Sequence, residues 1–229
     1  ENNTLHKISN VKSYKIPKKW SGFIAYTYDK TPLKQNNKLK DSINSEKGYP
    51  LIIRNLKTNK EDTIPFVTNY TFAKEGMVLS YSTSGLKDSI NPGVYINNLK
   101  TNSSKQIHIS HEKTKYFKLN LSNSGDKLAF VKDADSTKTY QRPYELYLWD
   151  SSQKNSKLIL DTDSSPDGYK VSRYGDIKFS KNESKLYFGL GLPEIVQDTL
   201  LLDEEIVNVE VWTYDCLLYT SDAADESDR

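Results

Sequence analysis

Three stretches of the chain repeat one pattern. "FAKEGMVLSYSTS" from Phe72, "LSNSGDKLAFVKDAD" from Leu121 and "FSKNESKLYFGLG" from Phe179 each place an apolar residue, a short polar turn and then an alternating strand. A second pattern is interleaved with the first: "GYPLIIRNLKTNKEDTIPF", "NPGVYINNLKTNSSKQIHI", "RPYELYLWDSSQKNSKLIL" and a shorter "VNVEVWTYD". Its complete copies run from four to six alternating residues through a polar turn into another short strand, so each reads as a hairpin. No stretch keeps a helical period over three turns.

Taking Leu51, Val94, Leu146 and Val211 as equivalent, the steps grow along the chain from about 43 to about 65 residues. A unit of roughly 40 to 45 residues with four strands is the mark of a β-propeller blade, and longer steps are loop insertions. The expected fold class is all-β: a β-propeller fragment with about four blades, 14–66, 70–110, 116–161 and 174–215, of a six- to eight-bladed ring. "NTLHKISNVKSYKI" parallels "EDTIPFVTNYTF" at 61–72, in which an outer strand runs into the first strand of the next blade. Residues 1–215 are therefore expected to be a partial propeller domain that starts and stops inside blades.

From Cys216 the character of the sequence changes. "CLLYTSDAADE" contains the only cysteine and opens a short, acidic tail. It resembles the translation of an adapter used in transposase-based sequencing libraries, and residues 216–229 are read as non-native and set aside. The rest of the chain then has no cysteine, which excludes a disulfide, a thiol nucleophile and a cysteine-ligated metal from it.

Charge excludes further classes. The net charge is +2, and the lysines alternate with Asp, Glu, Asn and Ser instead of clustering on one segment, so nucleic-acid binding is not indicated. No apolar run approaches the roughly 20 residues that cross a bilayer, so no membrane segment is expected in this stretch. The 16 Tyr and 7 Phe supply the bulk for a core.

Each polar constellation has a structural reading. In "HISH", His108 and His111 are three apart on a strand and face opposite ways, so they do not converge on a metal; with His6 they are expected as surface residues, at a blade rim. "DTDSSPDG" alternates Asp161, Asp163, Ser165 and Asp167 like a calcium loop. Pro166 and Ser172, however, stand where an EF-hand needs Gly and Glu, and a polar turn between blades accounts for the run. Asp203, Glu204 and Glu205 read as a solvated loop. "GLGLP" at 189–193 lacks a phosphate-binding glycine pattern. "STSGL" at 82–86 follows Ser84 with a glycine but lacks the one before it, so it is not the G-x-S-x-G elbow of a hydrolase. Trp149, Trp212, Tyr147 and Tyr214 occupy equivalent strands and are expected in packing between blades. No catalytic, cofactor-binding or metal residue is assigned.

The pairs "LSNSGDKLAFV…ELYLWD" and "FSKNESKLYFG…VEVWTYD" resemble WD40-like repeats of the TolB type. Together with "NVKSYKIPKKWSGFIAYTYDK" and "LIIRNLKTNKEDTI", the chain is similar over about 4–215 to the N-terminal propeller of bacterial prolyl oligopeptidase-family (S9) serine peptidases. The resemblance implies a cap that gates and orients a peptide substrate, with the catalytic Ser, Asp and His on an α/β-hydrolase domain elsewhere in a periplasmic or secreted parent. No cofactor is implied, and subunit state is left open. Two alternatives stand: a TolB/WD40-like scaffold that binds a protein partner, and a propeller enzyme of another class, such as a glycosidase or lactonase. If the tail is adapter-derived, a chain ended at Asp215 keeps the circular dichroism spectrum and thermal midpoint of the 229-residue chain; a midpoint several degrees lower would show that the tail belongs to the fold.

Overall fold

Successive side chains of a strand face opposite ways, and β9 (Lys127–Asp133) is apolar on both faces. Leu128, Ala129, Phe130 and Val131 are all at most 1% exposed. A sheet built on such a strand must be covered twice, which stacking sheet against sheet achieves. The computed structural model describes residues 7–28, 47–85, 90–111, 113–135 and 142–193, all within one compact unit spanning 1–194.

The described residues contain fifteen strands and no helix. β1 (Val11–Lys15), β2 (Phe23–Tyr28), β3 (Tyr49–Asn55) and the first half of β4 (Glu61–Phe72) form an antiparallel meander. The second half of β4 begins another with β5 (Val78–Thr83), β6 (Gly93–Asn98) and β7 (Ser103–Ile109), so the seven strands hydrogen-bond in chain order. β8 (Lys115–Leu121), β9, β10 (Glu145–Asp150) and β11 (Lys157–Leu160) make a third four-stranded meander. The fourth unit is described only in its first hairpin, where β12 (Lys170–Val171) pairs with β15 (Leu190–Gly191) and β13 (Lys178–Phe179) with β14 (Leu186–Tyr187). Gly175 and Gly189 face each other in this hairpin, where a Cβ on either would lie about 2.7 Å or less from the other's Cα.

β4 changes sheets at Phe66, whose φ of 57° twists the strand out of one meander and into the next. The expectation that "EDTIPFVTNYTF" joins two units is met by this single strand. The strand expected ahead of β1 begins in residues 1–6, outside the described residues, and residues 7–10, which are described, are not strand; the whole stretch from 194 onward is also outside them.

Three shared cores hold the units face to face. Ala25, Leu51 and Ile53 of the first pack with Tyr70, Leu79 and Tyr81 of the second. Val94, Ile96 and Ile107 of the second meet Tyr116, Leu128, Phe130 and Trp149 of the third. Ala129, Val131 and Leu146 of the third meet Val171 and Ile177 of the fourth. β9 thus gives alternate residues to two cores, and β8 packs on β4, inner strand beside inner strand, and also on β5. Four-stranded meanders stacked in this way, with sheets left open, are the architecture of a β-propeller.

Local chemistry fixes the turns. "NLKTN" occurs twice; Asn55 Oδ1 accepts from the N–H groups of Lys57 and Thr58 at 2.9 and 3.2 Å, and Asn98 Oδ1 accepts from those of Lys100 and Thr101 at 3.0 and 3.2 Å. Asp150 does the same for Ser152 in the third unit. These side chains mimic a backbone turn and hold the hairpin register.

The first-to-second-strand turns also bond from unit to unit. The N–H groups of Glu75 and Gly76 donate to the Asn123 carbonyl at 2.8 and 3.1 Å. The Ser124 N–H and hydroxyl donate to the Glu183 carboxylate at 2.6 and 2.8 Å, while Lys127 Nζ donates to the Glu183 carbonyl at 2.8 Å. Burial alone would raise the Glu183 pKa, but these donors outweigh it and lower the value from the ordinary carboxylate range.

Gly76 is the tightest point of this seam, since a Cβ there would stand 1.7 Å from the Ser124 carbonyl oxygen. Gly76→Ala is expected to push the second and third units apart and cost about 1–3 kcal/mol, as overpacking does. Urea unfolding measures it, and an unchanged midpoint would show that the turns do not need this approach.

Candidate functional site

In a meander the first-to-second and third-to-fourth connections lie at one end and the second-to-third connections at the other, so the stack has two unlike ends. At the first end the inner strands β1, β4, β8 and β13 stop together around a cavity of about 570 Å³. Lys15, Lys18, Lys74 and Lys178 line it, with Asn120 and Asn123; Ile16, Phe72, Leu121 and Phe179 supply apolar wall. Each inner strand delivers its last residues to this rim, which is why four distant segments meet there.

The ammonium of Lys15 donates to the Tyr70 carbonyl and lies 4.8 Å from the centre of the Tyr70 ring. Desolvation among these neighbours lowers the Lys15 pKa from its ordinary value. Lys19 pairs with Glu75 at 2.7 Å and Lys178 with Asp176 at 3.1 Å. Among the described residues no ion pair engages Lys15, Lys18 or Lys74. No single segment is basic, yet the fold collects these lysines. Sequence reasoning missed them because it examined charge along the chain. A usable signal was there: Thr71, Asn120 and Lys178 each precede the apolar residue that opens the repeated turn.

At the other end, His108 departs from the expected surface position. It lies between the second and third units with ring contacts to Tyr147, Phe130 and Tyr116 at 4.5, 5.4 and 5.9 Å. Its Nδ1 shares a 2.8 Å hydrogen bond with the Ser156 hydroxyl, whereas Nε2 is buried with no partner. Desolvation, with Lys132 adding repulsion, pushes the pKa down to about 4. Beside it Lys132 Nζ and the Tyr147 hydroxyl both donate to Glu145 Oε2 at 2.9 Å. His108 and His111 are expected on one strand; β7 ends at Ile109, so His108 faces the neighbouring sheet from the strand while His111 lies exposed beyond its end. His6 lies outside the described residues.

The other constellations serve the framework. Ser84 is 5% exposed, and its hydroxyl donates to the Lys47 carbonyl at 2.6 Å. Asp161 Oδ1 accepts from the Ser164 N–H at 2.8 Å and its hydroxyl at 2.5 Å, closing a turn. The Ser164 hydroxyl and N–H lower the Asp161 pKa. Among the described residues no three His, Cys, Asp or Glu side chains gather in a metal-binding group. Trp149 is 5% exposed in the core between the second and third units, and Tyr147 packs against that core and meets His108 of the second unit at 4.5 Å, both in the inter-blade role expected of them. Trp212, Tyr214 and the run Asp203 to Glu205 lie outside the described residues. At this end Arg142 reaches the 2%-exposed carboxylate of Asp133 through two donors, at 2.6 and 3.0 Å, and closes the neck of the β9–β10 connection. No helix among the described residues is long and apolar enough to cross a membrane.

No protein-family model matches the chain, and no curated protein matches it. Solved structures resemble it in fold. The β-propeller domain of the Trilobed protease from Pyrococcus furiosus aligns with 80% of this chain and 55% of its own, at 15% identity and a TM-score of 0.45. The acylaminoacyl peptidase of Pyrococcus horikoshii aligns with 72% of this chain and 26% of its own, at 13% identity and a TM-score of 0.43. An oligogalacturonate lyase in complex with manganese aligns with 71% and 42%, at 12% identity and a TM-score of 0.42. The chain therefore spans less than two thirds of the length of each.

The depressed His108 pKa makes stability depend on pH with a defined sign. The unfolded chain takes up a proton below about 6.5 while the folded imidazole resists until about 4, so stability is lost as pH falls through that window and levels off below it. His108→Gln removes this contribution, and its unfolding free energy should fall less steeply between those pH values than that of the parent or of His111→Gln. Equal slopes in all three would mean that His108 is not held neutral.

Proposed function

We propose that the chain is the non-catalytic β-propeller portion of a prolyl oligopeptidase-like serine peptidase, where it caps and gates the approach of peptides to a catalytic domain elsewhere in the protein. The observation that carries this reading is the use made of the motifs behind the resemblance. "LSNSGDKLAFV" and "ELYLWD" become the last residue of β8, the turn after it, β9 and β10, and their residues fill the cores on both sides of the third blade. The same motifs thus build the stack and carry the likeness to the family. The one near-match to a nucleophile elbow is accounted for locally, because Ser84 is buried and its hydroxyl is spent on a backbone carbonyl.

In this reading residues 1–215 belong to a ring of six to eight blades, residues 216–229 are adapter-derived, and the parent is exported. A stand-alone TolB/WD40-like scaffold is the second reading, favoured by the same blade motifs if no catalytic domain accompanies them. The two part at the gene. Sequencing the natural locus past the codon for Asp215 is expected to give further blade strands and then a G-x-S-x-G elbow, with Asp and His following within about 200–250 residues. A reading frame that closes its propeller and stops without an elbow would replace the peptidase reading with the scaffold.

A further inference from the structure

We propose that the lysine-lined mouth where the inner strands end is a binding site for acidic peptide segments. It concerns this chain's own residues and holds whether or not a hydrolase domain accompanies them. A single small anion needs one or two donors, whereas here Lys15 and Lys18 reach the cavity from the first unit, Lys74 from the second and Lys178 from the β13 hairpin of the fourth. A ligand that engages them together must carry several negative charges spread along its length. At about 570 Å³ the cavity is of the size that holds an extended segment of a few residues.

Carboxylates in the neighbouring turns do little to neutralise the site. Glu75 is held by Lys19, with Lys74 adding a weaker attraction, and Glu183 by the N–H and hydroxyl of Ser124; among the described residues Asp176, shared between Lys118 and Lys178, is the one carboxylate ion-paired with a lining lysine. Concave surfaces lined by one sign of charge concentrate ligands of the other. The Asn120 side chain adds an amide to the wall, able to donate to a peptide carbonyl and accept from a peptide N–H. Lysine ammoniums, as flexible point charges, suit carboxylates on independently moving side chains better than the fixed geometry of a phosphate that arginine forks match.

The test uses the full chain at low ionic strength and fluorescence anisotropy of two labelled peptides, tetraglutamate and tetraglutamine, with inorganic phosphate as competitor. Tetraglutamate should bind and tetraglutamine should not. Lys18→Gln with Lys74→Gln should weaken binding about five- to ten-fold, while Lys57→Gln with Lys100→Gln, which removes equal charge from the outer turns of the same end, should leave it near the parental value. If the first pair fails to fold, amine-reactive footprinting of the unaltered protein takes its place, with tetraglutamate protecting Lys18 and Lys74 but not Lys57 or Lys100. Equal binding of the two peptides, equal loss in the two double variants, protection of all four lysines alike, or displacement by phosphate at the concentration of the peptide would each overturn the proposal.

Discussion

Everything in this fold depends on the requirement that each sheet be covered on both faces. Leu128 and Phe130 turn toward one neighbour and Ala129 and Val131 toward the other, and none of the four exceeds 1% exposure. Full burial of such a side chain is worth about 1.5–3 kcal/mol, so a strand used on both faces gains roughly twice what a half-buried strand does. That gain exists only while both neighbouring units are in place. Stability is then shared between units and the interfaces that join them, as in other repeat architectures.

The turn seam adds direction to this non-directional packing. Apolar faces alone would let sheets slide, but the Asn123 carbonyl, the Gly76 approach and the Glu183 carboxylate each fix one unit's turn on the next. Glu183 itself has a φ of 58°, and Phe66 and Lys118 are likewise in the left-handed region. Such backbone is unfavourable for side chains of this size and persists where the surroundings over-determine it. At Phe66 the cause is visible, since β4 there leaves one sheet for another. At Lys118 the β8–β9 register shifts, and its ammonium reaches Asp176 of the fourth unit at 3.5 Å.

What could be read from the sequence was what repeats within a short span. The polar turn followed by alternation, and the hairpins around "NLKTN", are local patterns, and local patterns survive in one dimension. His108 is the counterexample. Its strand position and face were legible, but whether that face meets solvent or another sheet depends on Tyr116, Phe130 and Tyr147, which come from the next unit. The lysine mouth escaped for the same reason: its members stand about 50 to 160 positions apart, apart from the pair Lys15 and Lys18, and only the parallel course of the inner strands brings them to one rim. The fourth unit differs from expectation in another way. "FSKNESKLYFGLG" reads as a polar turn and one alternating strand, yet it joins the residues before it in two short pairs on either side of the Gly175–Gly189 approach, where neither residue has a side chain to pack on the pleat.

The two ends of the stack are under different constraints, and this difference bears on what each can do. At the lysine end the first-to-second-strand turns of the second, third and fourth units bond to one another, and "FAKEG", "LSNSGD" and "FSKNES" differ by about one residue, whereas the β1–β2 connection at 16–22 is longer. The opposite end carries, among the described residues, a bond from the Ser84 hydroxyl to the Lys47 carbonyl at 2.6 Å. Its second-to-third-strand connections vary from the short link between Thr83 and Gly93 to the long one between Tyr28 and Tyr49, and Arg142 with Asp133 pins only the neck of a third. Variation in loop length is where binding partners are usually accommodated, because loops can change without disturbing the scaffold that carries them. The lysine-lined cavity, by contrast, lies at the end whose turns bond from unit to unit, so its walls are set by the fold and not by loop length.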